Sequence, residues 1–116
     1  MKIYTKSNML SNFKRMTKSI MLGDTPATQY VWYDKKNKVA QVNTFDWWDG
    51  LNIEGLEVSP QYRGQGLSYQ ILDFAVKQLG AKNLAVKKDN KIAKHVYDKY
   101  GFKVVDEDKR YYYMSV

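Results

Sequence analysis

A chain of 116 residues with 44% hydrophobic and 15% aromatic content has the size and composition of one globular domain, too short for two independent cores. Cysteine is absent, which excludes disulfides, thiolate metal sites and an acyl-enzyme on a thiol; the single histidine, His95, cannot alone build a zinc site. The net charge of +7 favours an anionic ligand or partner without choosing among nucleotide, nucleic acid and acidic protein.

Residues 2–5 are expected as a short first strand. The following stretch, NMLSNFKRMTKSIML, places Met9, Leu10, Phe13, Met16, Thr17, Ile20 and Met21 at helical spacing, with Lys14, Arg15 and Lys18 on the other side. That spacing predicts a core-packing helix with a basic face, ended by GDTP. The N-terminus lacks the apolar stretch and cleavage site of a signal peptide, and no apolar run approaches a membrane span, so a cytoplasmic location is expected. TQYVWYDKKNKVAQVNTF reads as a hairpin turning at Asp34 to Asn37, because β-branched and aromatic residues flank a compact polar run. In DWWDG, Trp47 and Trp48 are candidates for a loop anchor in the core or for the wall of an acceptor site.

Residues 51–58 form the next expected strand, stopped by Pro60. The chain then runs VSPQYRGQGLSYQIL, placing Arg63, Gly64 and Gly66 where a helix is about to begin. Helix starts carry unpaired N–H groups and partial positive charge, and glycines let the backbone approach a ligand closely, so this turn is a candidate phosphate site. Leu67, Ile71, Leu72, Ala75, Val76 and Leu79 line one side of the helix, and Gly80 closes it. NLAV is a short strand. Asp89 or Asn90 caps a second helix with the stripe Ile92, Ala93, Val96, Tyr97 and Tyr100, ended by Gly101. Strands around FKVV and RYYYMSV complete the chain. The order predicts an α/β or α+β sheet with one parallel pair joined by a right-handed crossover, and the glycine turn lies at the carboxyl end of that pair's first strand.

Two phosphate-binding patterns do not fit. A P-loop requires a Lys-Ser/Thr pair that does not follow Gly66, and a dinucleotide fingerprint is contradicted by Tyr69 and Lys87 at its third-glycine and acidic positions. The run Gln61-Tyr62-Arg63-Gly64-Gln65-Gly66 instead resembles the Q/R-x-x-G-x-G/A signature of the GCN5-related N-acetyltransferase (GNAT) family. Thirty residues on, NKIAKHVYDKYGF resembles that family's second signature through Asn90, Ala93, Tyr97, Gly101 and Phe102. The resemblance covers about residues 27–115. It implies an α+β fold with a mixed, mainly antiparallel sheet of six to seven strands and helices on both faces. Residues 1–116 are then one acyltransferase domain, whose acceptor-side region, about residues 1–26, is shortened. Relatives usually carry two helices between the first and second strands, where this chain has room for one helix and a short turn.

The resemblance also implies acetyl-CoA as cosubstrate, no metal, and direct transfer to a primary amine of a small molecule or protein. Its pyrophosphate is expected on the turn formed by Arg63, Gly64, Gln65, Gly66, Leu67 and Ser68. The backbone of Leu56 and Val58 would pair with the pantetheine arm, and Asn90 would hold that arm from the other side. Tyr97 corresponds to the family tyrosine that protonates the departing thiolate. For the proton of the amine, Glu57 ranks ahead of Glu54, with Asp46 and Asp49 behind. Simple strand alternation puts Glu54 on the face of Leu56 and Val58, and Glu57 on the opposite one. Two other functions stay open at this point. One is a relative that binds acetyl-CoA without catalysis. The other is a basic binding module for nucleic acid or an acidic partner, using Lys14, Arg15, Lys18, Lys87, Lys88, Lys91 and Lys94. The short acceptor half leaves room for a second subunit to complete it, as a homodimer.

Overall fold

The structure, a computed structural model, describes residues 9–47 and 49–116; the strand expected at residues 2–5, and Trp48, lie outside the described residues. The expected first helix is not formed. Instead, Leu10–Asn12 makes one 3-10 turn and Lys14–Leu22 forms strand β1. The helical spacing joins two unrelated groups: Met9 and Phe13 belong to the core, whereas Met16 and Met21 are exposed on the strand. What fixes the strand is its ladder, nine consecutive antiparallel pairs from Lys14↔Tyr33 to Leu22↔Thr25 with β2, Thr25–Asp34. Because β1 is exposed for most of its length, it carries no alternating apolar pattern that sequence reading could detect. Gly23, at φ +61°, and Asp24 make the connecting turn, with glycine supplying the left-handed conformation that tight hairpins favour. No helix lies between these two strands.

The expected hairpin is present as β2 and β3, Asn37–Trp47, followed by β4, Gly50–Val58. Then come α1, Leu67–Asp73, extended by a π-helical turn over Phe74–Gln78, strand β5, Asn83–Lys87, and α2, Lys91–Tyr100. Strands β6, Lys103–Glu107, and β7, Tyr111–Ser115, close the chain. All seven strands form one sheet in the order β1-β2-β3-β4-β5-β7-β6. Every neighbouring pair is antiparallel except β4 and β5, the parallel pair expected from the crossover through α1.

Helix α1 buries Leu67, Ile71 and Leu72 in a core with Trp32, Val42, Ile53, Leu84, Phe102 and Met114. At about 2 kcal/mol for each large side chain taken out of water, these three residues outweigh the intrinsic propensity of so short a helix. Asn90 caps α2 by accepting a hydrogen bond from the Ala93 N–H at 3.2 Å, and Gly101 ends the helix at φ +128°. Tyr100 ties α2 to α1, stacking at a tilt on Tyr69 and donating to Asp73 Oδ1 at 3.0 Å. Trp47 does not anchor a core loop: it is 52% exposed at the end of β3, edge-on to Phe45.

The feature that makes a site is a defect in the sheet. β4 and β5 pair only at Asn52↔Asn83 and Ile53↔Leu84, and beyond that point they part. The carboxyl-terminal half of β4, from Glu54 to Val58, therefore has β3 on one side and an unpaired edge on the other.

Candidate active site

β4 carries an extra residue. Gln41 pairs with Glu57 and Asn43 with Glu54, so Val42 alone faces both Gly55 and Leu56. Gly55 occupies the left-handed region at φ +64°, the conformation a glycine bulge requires. The bulge shifts the alternation by one position. Ile53 and Val58, five residues apart, are both buried, while Glu54 and Glu57 are both exposed. Uninterrupted alternation would separate the two glutamates; the bulge brings them to the same side.

Past β4, the Ser59 N–H bonds to the Val39 carbonyl at 2.8 Å, and Pro60–Tyr62 turns through one 3-10 turn. Arg63 Nε donates back to the Val58 carbonyl at 2.8 Å, which clamps the glycine turn to the strand end. Gly64 and Gly66 sit at φ +77° and +82°, and a Cβ on either would meet no protein atom within 4 Å. Gly66 caps α1 without a side-chain hydrogen bond, leaving the first N–H groups of the helix available to a ligand.

These groups border a cavity of about 770 Å³ between the open half of β4, the start of α1 and one face of α2. Of the expected residues, Leu56, Glu57, Val58, Arg63, Gly64, Gly66, Leu67, Ser68, Asn90 and Tyr97 line it; Gln65 does not. Tyr62, Tyr69, Gln70, Ile92, His95, Val96 and Lys99 also line it, and motif reading does not assign these to the site. Their signal is present only in part: His95 and Lys99 lie one helical turn apart on α2, but their relation to the glycine turn is set by how α2 leans on α1. The lysine run is placed elsewhere. Lys88 pairs with Glu107 at 2.6 Å and Lys94 with Asp98 at 2.7 Å, and none of Lys87, Lys88, Lys91 and Lys94 lines the cavity.

Tyr97 lies edge-on to Phe102, and burial pushes its phenol above the usual tyrosine value, with the Glu54 carboxylate adding to the rise. A phenol held protonated well past neutral pH is suited to donate a proton or a hydrogen bond. Glu54 in turn accepts a hydrogen bond from Asn43 Nδ2 at 2.8 Å. Among the described residues no group of three or more His, Asp or Glu side chains is arranged to hold a metal ion. Among them, too, no helix is long and apolar enough to cross a membrane.

An open strand edge, a glycine-lined helix start and a half-buried tyrosine thus border one cavity. The chain matches the profile of the acetyltransferase (GNAT) family over residues 2–102 and belongs to that family. Its seven-stranded, mostly antiparallel mixed sheet with helices agrees with the fold of solved relatives. The Campylobacter jejuni N-acetyltransferase PseH, crystallised with acetyl coenzyme A, superposes with a TM-score of 0.61 at 23% identity, covering 78% of this chain and 67% of that one. The Vibrio cholerae spermidine/spermine N-acetyltransferase SpeG, crystallised in mutant forms, gives a TM-score of 0.59 at 18% identity over 82% of this chain and 69% of its own. The PaiA N-acetyltransferase of Thermoplasma acidophilum, in complex with coenzyme A, gives 0.64 at 18% identity over 77% and 59%. No curated protein matches the chain.

Proposed function

We propose that the protein transfers an acetyl group from acetyl-CoA directly to a primary amine. One observation carries this reading: the glycine turn, the unpaired half of β4 and the Tyr97 phenol border the same cavity. PseH with acetyl coenzyme A and PaiA with coenzyme A support the same donor here. The N–H groups following Gly64 and Gly66 receive the pyrophosphate, with Arg63 adding positive charge at the rim. The free edge at Leu56 and Val58 offers backbone groups to the amides of the pantetheine arm, as an added strand would. Asn90 borders the arm from α2, and Lys99 and His95 are the further basic groups on that wall.

Without a cysteine, the amine attacks the thioester carbonyl itself; the new C–N bond forms as the C–S bond breaks. Tyr97 gives its proton to the departing sulfur. The attacking nitrogen must lose a proton, and we assign that proton to Glu54 rather than Glu57. Glu57 lies along the donor cavity, where the cosubstrate fills the space, whereas Glu54 is outside it and close enough for its charge to act on Tyr97.

The test couples two readouts: a thermal shift with acetyl-CoA, then free-thiol release from acetyl-CoA against a panel of polyamines, aminoglycosides, amino sugars and lysine peptides. The reading expects a shift and amine-dependent release of thiol. Binding without turnover on any amine points instead to a protein that holds the coenzyme without catalysis, and absence of binding removes both.

A further inference from the structure

Asn43 is a buried polar residue in the middle of a β-strand, 4% exposed, where Val or Ile would pack without polar cost. Its Nδ2 donates to Glu54 Oε2 at 2.8 Å, yet its Oδ1 is buried with no hydrogen-bond partner. An unsatisfied buried acceptor is unfavourable, so the fold carries a cost here in exchange for one bond, the bond to Glu54. The backbone is shaped around that bond. A Cβ on Gly55 would lie 2.8 Å from Asn43 Nδ2, so only glycine at the bulge leaves room for the amide. Beside it, Gln41 reaches the Gly55 carbonyl at 3.4 Å and accepts from Lys38.

We propose that Asn43 is a positioning residue for acetyl transfer: its amide holds the Glu54 carboxylate fixed in direction at the mouth of the β4–β5 gap beside Tyr97. This rests on the assignment of Glu54 as the proton acceptor. A buried donor fixed in the sheet holds the carboxylate in one direction, so the group need not be ordered when the amine arrives.

Asn43→Leu removes the donor and the orphaned oxygen together at similar volume. Its expected melting temperature equals or exceeds that of the parent and acetyl-CoA affinity is unchanged, while kcat falls about tenfold with little change in KM for the amine. Asn43→Asp keeps the shape but replaces the donor with a second carboxyl beside Glu54, so kcat falls at least as far; this variant serves if the leucine variant does not fold. Glu54→Gln and the double variant complete a cycle: with the Glu54 carboxylate already removed, losing the Asn43 amide lowers kcat no further. An unchanged kcat in a folded Asn43 variant overturns the proposal, as does activity falling only in step with melting temperature, or a loss of the same size in the Glu54→Gln background. The two ideas fail separately: a parent without thiol release refutes the transferase reading and the role of Asn43 with it, whereas a parent that turns over and an Asn43 variant equal to it refute the role of Asn43 alone.

Discussion

Gly66 and Gly80 form a matched pair that separates folding from ligand binding. Both lie in the left-handed region, at φ +82° and +81°, and a Cβ on either meets no protein atom within 4 Å. Replacing either by Ala therefore carries the same conformational cost, about 1–2 kcal/mol for a non-glycine residue in that region. An unfolding entropy of about 2 cal/mol/K per residue makes 1 kcal/mol roughly 4 °C in a chain of this size, so each variant should melt about 4–8 °C lower. Only Gly66 borders the cavity. If the pyrophosphate sits on this turn as proposed, the methyl group enters the space where it approaches the backbone, and Gly66→Ala should lose at least about tenfold in acetyl-CoA affinity, on the order of 1.4 kcal/mol or more. Gly80→Ala should bind as the parent does. Calorimetric titration of both variants with acetyl-CoA, alongside their melting curves, reads the two effects independently. Equal affinity in all three proteins would refute the placement of the pyrophosphate, and an equal loss in both variants would show that the effect is global.

Tyr97→Phe keeps the ring against Phe102 but removes the hydroxyl proposed as proton donor, so kcat should fall by about 10²-fold while acetyl-CoA affinity changes little. Because burial and Glu54 both raise the phenol, the falling limb of the parent's rate profile belongs above about pH 10 and should vanish in the variant. Arg63→Ala should weaken coenzyme A binding by a factor that shrinks as salt is added, and it should cost some stability even without ligand, since Arg63 also bonds to the Val58 carbonyl; titrations at low and high salt with melting curves check both. 3′-Dephospho-coenzyme A should bind more weakly than coenzyme A, and Lys99→Ala should narrow that difference, whereas duplex DNA should bind poorly at physiological salt. Tight DNA binding would return the basic-module reading.

The second half of the fold is legible in the sequence because its elements announce themselves locally. Gly66 and Gly101 mark helix limits, Asn90 caps α2, and the stripe Leu67, Ile71, Leu72 is the face that is buried. The first half is not legible at β1, because an exposed edge strand has no buried face to impose a period of two, and its partner in β2 is known only once the chain has folded. The glycine turn and Tyr97 stand out as motif residues, and the cavity brings them together. The arrangement of the glutamates does not stand out. It depends on Gly55 adopting a left-handed conformation opposite Val42, a property of pairing register rather than composition. Asn43 gives no signal at all, since one amide in a strand looks like an ordinary surface position until its burial is seen.

Direct acetyl transfer from acetyl-CoA to an amine is tested most directly by single-turnover mass spectrometry with carbon-13 acetyl-CoA and excess protein. With an accepted amine present, the label should appear on the amine nitrogen in one-to-one ratio with free coenzyme A, with no labelled protein at any time point. Label accumulating on the protein before the acceptor, or thiol released with the label appearing only as acetate, would contradict direct transfer.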